Sequence, residues 1–193
     1  MRSGPAAPFW RRLWGWLQVV RPGIWLATGS EQEAKTRNQL QRLLQRYDLR
    51  KWRFTHRIRI DQNAVVSHSH PVLTLNTRRL DDDRLLLATY LHEQLHWFVS
   101  KHRQEKAALQ ELRQRYATVP VARPEGAGNE SSSYLHYLVC YLEYAALIDV
   151  LGSEEARRVI DFWCTHHYTE IYKTVVRDFD GIGEIVSRHG LIP

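Results

Sequence analysis

His92-Glu93-Gln94-Leu95-His96, set between Leu85-Leu86-Leu87-Ala88-Thr89-Tyr90-Leu91 and Trp97-Phe98-Val99, decides how this chain is read. Asp81-Asp82-Asp83 supplies an N-cap and acidic residues for the positive end of a helix. No glycine or proline follows before about Lys101, so the spacing predicts one helix across the whole stretch. Residues four apart on a helix lie one above the other, which sets the imidazoles of His92 and His96 side by side. Such a pair suits two positions of a tetrahedral zinc site, and the glutamate after the first histidine can reach a water at that site as general base. In so apolar a helix, two histidines and a glutamate without a cation would leave polar groups unpaired, at about 1–3 kcal/mol each.

The chain has 193 residues and a net charge of +6, with composition ordinary for one globular domain. Cys140 and Cys164 are its two cysteines and form no C-x-x-C, so a disulfide framework is not expected and a reducing cytoplasm fits. Residues 1–29 form a basic, Trp-rich segment with Arg2, Arg11, Arg12 and Arg21 and no acid. Its apolar stretch is too short to cross a bilayer, and Arg21-Pro22 interrupts it. We expect a disordered or peripheral leader there, with weak contact to a membrane surface as the alternative, and a single metal-binding domain over 30–193.

Ser30 and Glu33 read as a capping box that starts a helix over 31–47. Residues 52–60 and 65–75 read as two strands of a small antiparallel sheet turning at Asp61-Gln62-Asn63, with Pro71 marking an edge or break. After the signature helix come a helix over 105–116, a loop over 119–128 with two prolines and two glycines, and a long helix over 134–151 ending at Gly152. Ser153-Glu154-Glu155 caps a helix to about Cys164, and helices near 167–177 and 180–189 close the chain. The expected class is α+β, mainly α: a small antiparallel sheet, the H-E-x-x-H helix, and a C-terminal helical bundle.

A sheet, an H-E-x-x-H helix and a later helix offering further ligands together resemble the zincin metallopeptidases, in a gluzincin-type arrangement. The likeness is motif-specific over 92–96 and architectural over about 50–151. It implies His92 and His96 as zinc ligands, Glu93 as catalytic base, a peptide or protein substrate, and an edge strand beside the metal that binds substrate backbone. Val72-Leu73-Thr74-Leu75 is the expected strand.

The histidine that extends the motif in metzincins is absent, so a third ligand must come from a separate element. His136 and Glu143, seven apart on one side of the 134–151 helix, are expected to divide the roles of ligand and ligand-orienting partner, in either order. Glu130 is the further alternative, at the helix start. His167, Tyr168 and Tyr172 are the expected donors to a developing oxyanion. His56, His68, His70, His102 and His189 read as surface or loop residues.

Two rival readings stand beside a zinc hydrolase. The first is a nucleic-acid-associated module, since residues 37–59 carry eight basic side chains against Asp48 alone, with Trp52 and Phe54 interleaved. The second is an inactive protein whose helices zinc merely staples.

Overall fold

Three short segments of the first half of the chain, each with isoleucine or leucine at alternate positions, are stacked side by side in a sheet. A computed structural model describes residues 23–193. Its sheet has three strands in the order β1 (Gly23–Leu26), β2 (Arg57–Ile60) and β3 (Leu73–Leu75), all parallel. Ile58, Ile60, Leu73 and Leu75 are fully buried, whereas Arg57 and Arg59 alternate outward.

This overturns the expected antiparallel pairing. The chain does reverse after β2, where the Asp61 side chain accepts the Asn63 N–H and the Ala64 N–H returns to the Asp61 carbonyl. The returning segment, however, does not pair with β2. His68 pairs antiparallel with Thr74 on the far side of β3, the chain reverses again over 69–72, and β3 inserts between the two. Two reversals make β3 parallel to β2, with its apolar residues fully buried and its far side covered at Thr74 by His68. The expected substrate strand therefore has both edges occupied at Thr74. The outer edge at that point is His68.

The domain also begins earlier than expected. Residues 23–26, read as the end of a leader, form β1 against β2. The remainder of that segment, residues 1–22, lies outside the described residues.

Helix α1 (Glu31–Arg46) is capped by Ser30, whose Oγ accepts the Glu33 N–H. The Glu33 carboxylate departs from the simple capping box. It accepts the N–H groups of Thr28 and Gly29 with one oxygen and that of Gln62 with the other. A single buried acid thus ties the ends of β1 and β2 to the start of α1. Burial opposes its ionisation, but the three backbone donors outweigh that and lower its pKa. A lowered folded-state pKa contributes stability above the unfolded carboxyl value of about 4.3, lost as pH falls through the folded value. Glu33→Ala should cost about 2–4 kcal/mol near neutral pH. In urea melts at a series of pH values, the gap to wild type should close below about pH 4.

Among the described residues there are seven α-helices, so the fold is mainly helical with a small sheet, as expected. Helix α2 (Asp83–Lys101) starts at Asp82, whose carboxylate accepts the Leu85 N–H. Helices α3 (Glu105–Arg115), α4 (Glu130–Leu151), α5 (Ser153–His166), α6 (Thr169–Arg177) and α7 (Phe179–Arg188) follow. Asn129 caps α4 by accepting the Ser132 N–H. Gly152, at φ 83°, lets the chain leave α4 and enter α5 at once.

Helix α4 is long and apolar enough to cross a membrane by length and composition alone. It packs against α2, α3, α5, α6 and α7, which accounts for apolar residues on all its sides. The α2–α4 contact is central, and it carries the site.

Candidate metal centre

Helix α2 enters the core with Leu86, Leu87, Leu91 and Leu95 fully or almost fully buried, which fixes its rotation. Gln94 sets its height against the sheet. Its Oε1 accepts the Phe54 and Thr55 N–H groups, and its Nε2 donates to the Thr55 carbonyl and the Tyr90 hydroxyl. The two variable positions of the signature are thus structural: Leu95 fills the core, and Gln94 hydrogen-bonds the chain entering β2.

On the opposite side of α2, His92 and His96 face α4. Their Nε2 atoms are 3.2 Å apart, and the His136 ring lies 5.5 Å from that of His92 and 5.0 Å from that of His96. One ligand nitrogen from each of the three falls within 4.8 Å of the others. His136 Nδ1 donates to the Ser132 carbonyl at 2.6 Å, and a carbonyl can only accept, so the lone pair of this ring is on Nε2. His92 Nδ1 meets Glu143 Oε2 at 2.8 Å, which likewise leaves its Nε2 for the cluster. Tetrahedral zinc with nitrogens at about 2.0–2.1 Å sets them about 3.3–3.4 Å apart, close to the 3.2 Å between His92 and His96, and the His136 nitrogen lies within 4.8 Å of both.

Electrostatics agree with that division. Burial pulls the His92 pKa down, but the Glu143 hydrogen bond and the charges of Glu143 and Glu93 raise it overall. Burial first, then the neighbouring His92, holds His136 at about 3 and His96 well below the usual histidine range. Both are neutral rings near pH 7, the form that binds metal. A second group of donors, His92, Cys140 and Glu143, also converges. There burial, with Glu143 beside it, pushes the Cys140 thiol well above its ordinary range, so it is not a thiolate ligand.

Glu143 is tied on both sides, since the Tyr172 hydroxyl donates to the same Oε2 at 2.6 Å. Tyr172 is 1% exposed and committed to this bond, which removes it from the open face where an oxyanion would form. Tyr168 is better placed for that role. Its ring lies 4.2 Å from His136 and stacks on His92 at 6.1 Å, and it is half-buried. Burial above all raises its hydroxyl to about 12, so it stays a protonated donor. Its backbone is left-handed, φ 52°, a conformation that costs a non-glycine residue about 1–3 kcal/mol. His167 packs between Trp163 and Tyr168, and burial, then the His92 charge, lowers it to about 3.

Glu93, one residue past His92, is 6% exposed, and its side chain has no hydrogen-bond partner among the described residues. Burial is the main cause that lifts its carboxyl to about 7, with His92 opposing and Glu143 assisting. Glu130 is exposed in the first turn of α4, apart from the cluster.

Of the histidines read as peripheral, one belongs near the site. His70 stacks on Trp97 with ring centroids 4.2 Å apart, and its charge bears on His96. Trp97 Nε1 also donates to the Ser69 carbonyl, which fastens the edge segment to α2 beside the cluster. His189 pairs with Glu111, His102 caps α2, and His56 is exposed.

The basic side chains of residues 37–59 are spread over α1, the segment after it and β2. Arg57 and Arg59 project from the outer face of the sheet, whereas α1 packs on its inner face. Arg50 pairs with Asp48 and Arg59 with Asp61. No protein-family model, no curated protein and no solved structure matches this chain.

Proposed function

We propose that this protein is a zinc-dependent hydrolase of the metallopeptidase type, with His92, His96 and His136 holding the ion. The observation that carries the reading is the convergence of three imidazole nitrogens beside a buried, unpaired carboxylate whose pKa is about 7. The order of elements, a sheet, then the H-E-x-x-H helix, then a helix with a third imidazole, supports a zincin-like arrangement. Held by His92, His96 and His136, a zinc ion would supply Lewis acidity to a carbonyl and to water.

Glu93 accepts the proton of the attacking water and returns it to the leaving amine. Tyr168, from the opposite rim, donates to the developing oxyanion. Glu143 orients His92 by holding its Nδ1–H, and Tyr172 orients Glu143. Pairing of substrate backbone with β3 is not available at Thr74, whose two edges are taken by β2 and by His68.

The unpaired state of Glu93 favours this reading over a zinc staple, because a purely structural site gains nothing from burying a free carboxylate. The two free cysteines suit a reducing compartment, and we place the protein in the cytoplasm. The test is metal analysis joined to hydrolysis of a mixed peptide pool. About one zinc per chain, lost in His96→Ala, with cleavage that stops on chelation and returns with zinc, is the expected result. Purified protein with no divalent ion, and no uptake on dialysis against zinc, would reject the reading.

A further inference from the structure

The loop between α3 and α4 is a fixed rim of the histidine cluster. Pro124 and Glu125 accept, through their carbonyls, the N–H groups of Thr169 and Glu170, the residues that follow Tyr168. At its other end the Ala127 N–H donates to Ser133 Oγ, three residues before His136. Inside the loop, Gly126 N–H returns to the Ala122 carbonyl and Gly128 N–H to that of Val121. A Cβ at Gly126 would lie 2.0 Å from the Pro120 carbonyl oxygen, so no other residue fits this fold of the chain. The loop is therefore fastened to both elements that supply the open side of the site.

Arg123 stands on this rim. It is exposed, and its guanidinium runs beside Gly128, with Nε 3.7 Å from where a Cβ there would sit. Among the described residues no acidic group pairs with it. The next residue, Pro124, is bonded through its carbonyl to Thr169, which follows Tyr168, so Arg123 lies on the segment that joins the loop to that tyrosine. Two further cations border the same site from other elements. Arg79 stacks over Phe162 and Trp163 and bears on His167, and Lys101 sits over Trp97 and bears on His70. The carboxylates inside, Glu93 and Glu143, both belong to the machinery of the site. A peptide entering there meets Arg123, Arg79 and Lys101, with the exposed Glu125 of the same loop beside them, and the Arg123 guanidinium has no acidic partner among the described residues.

We propose that Arg123 determines specificity by receiving a carboxylate of the substrate, so that the site takes acidic peptides. The inference rests on the hydrolase reading. A guanidinium presents two parallel N–H donors that match a carboxylate, a recognition a lysine would not reproduce. Arg79 and Lys101 are engaged with aromatic faces and serve as background charge. The carboxylate is either an acidic side chain or the free C-terminus of the peptide.

Three peptide hydroxamates of equal length separate these sources: one neutral and amidated, one with a glutamate side chain and amidated, one neutral with a free C-terminus. Their dissociation constants are measured on the zinc-loaded full chain, with zinc content determined for every variant. Wild type should bind one of the carboxylate ligands about five- to tenfold tighter than the neutral one, with the difference shrinking in salt. Which ligand gains identifies the source. In Arg123→Ala the three affinities should converge, and in Arg123→Glu the order should invert. Equal affinities in wild type, or a preference that survives Arg123→Glu with zinc bound, would overturn the inference, while binding of the neutral hydroxamate would leave the hydrolase reading intact. Zinc-loaded protein that binds none of the three would overturn both.

Discussion

Glu93→Gln should keep zinc at wild-type stoichiometry and lose peptide hydrolysis by about 10²- to 10⁴-fold. Glutamine has the same size and can stay in the same place, but it cannot take a proton from water. No imidazole of the cluster depends on Glu93 for a hydrogen bond, so metal content should be unaffected. Rate against pH adds a second reading. A base works in its deprotonated form, so turnover rises with pH through the Glu93 value. Burial lifts that value to about 7 in the ion-free protein, and a cation alongside lowers it. Wild-type kcat/KM should therefore climb to a plateau at or below about pH 7. The residual rate of Glu93→Gln should not show that limb. Turnover within a few-fold of wild type in the zinc-bound variant would remove Glu93 as the base.

Much of this site was legible because helical spacing is rigid. His92 and His96 face one another since residues four apart must, and the apolar residues around them left one orientation for α2. The pairing of His136 with Glu143 on α4 was also readable, as was the placing of Glu130 at the helix start. Which of His136 and Glu143 approaches the Nε2 side of His92 was not. Seven residues span about 10.5 Å along a helix axis, so the answer depends on where α4 crosses α2, a tertiary fact. Tyr172 misled because its residue type fits an oxyanion donor, while its actual partner, Glu143, is 29 positions away.

The sheet failed for a related reason. Gly23–Leu26 is short and follows a Trp- and Arg-rich run, so only its pairing with β2 reveals it as a strand. The turn at Asp61-Gln62-Asn63 is legible from its residues, but a second reversal over 69–72 changes the direction of β3 and is set by what the core covers. Gln94 and Glu33 were invisible as structural residues, since a buried polar side chain is recognised by the backbone groups it satisfies. Those groups lie 39 and 40 positions from Gln94, and up to 29 from Glu33.

The assignment of Glu143 to His92 and not to the ion yields the other large effect. Glu143→Leu should lower stability of the ion-free protein by about 2–5 kcal/mol and zinc affinity by about 10- to 100-fold. Two buried donors, His92 Nδ1–H and the Tyr172 hydroxyl, share one Glu143 oxygen, and leucine leaves both without an acceptor. The His92 ring is then free to rotate out of the cluster. Glu143→Gln separates this from loss of a ligand, because an amide oxygen can still accept both donors while the charge is gone. Its stability should lie close to wild type and its zinc affinity between wild type and Glu143→Leu. His136→Ala removes a nitrogen of the cluster itself and should lower zinc affinity further than Glu143→Gln, with little change in the Glu143–Tyr172 bond. The measurement is competitive zinc titration against a chelator, with urea melts of the metal-free proteins. Should Glu143→Gln lose zinc more completely than His136→Ala, the two residues exchange roles, and the site becomes one of two histidines and a carboxylate.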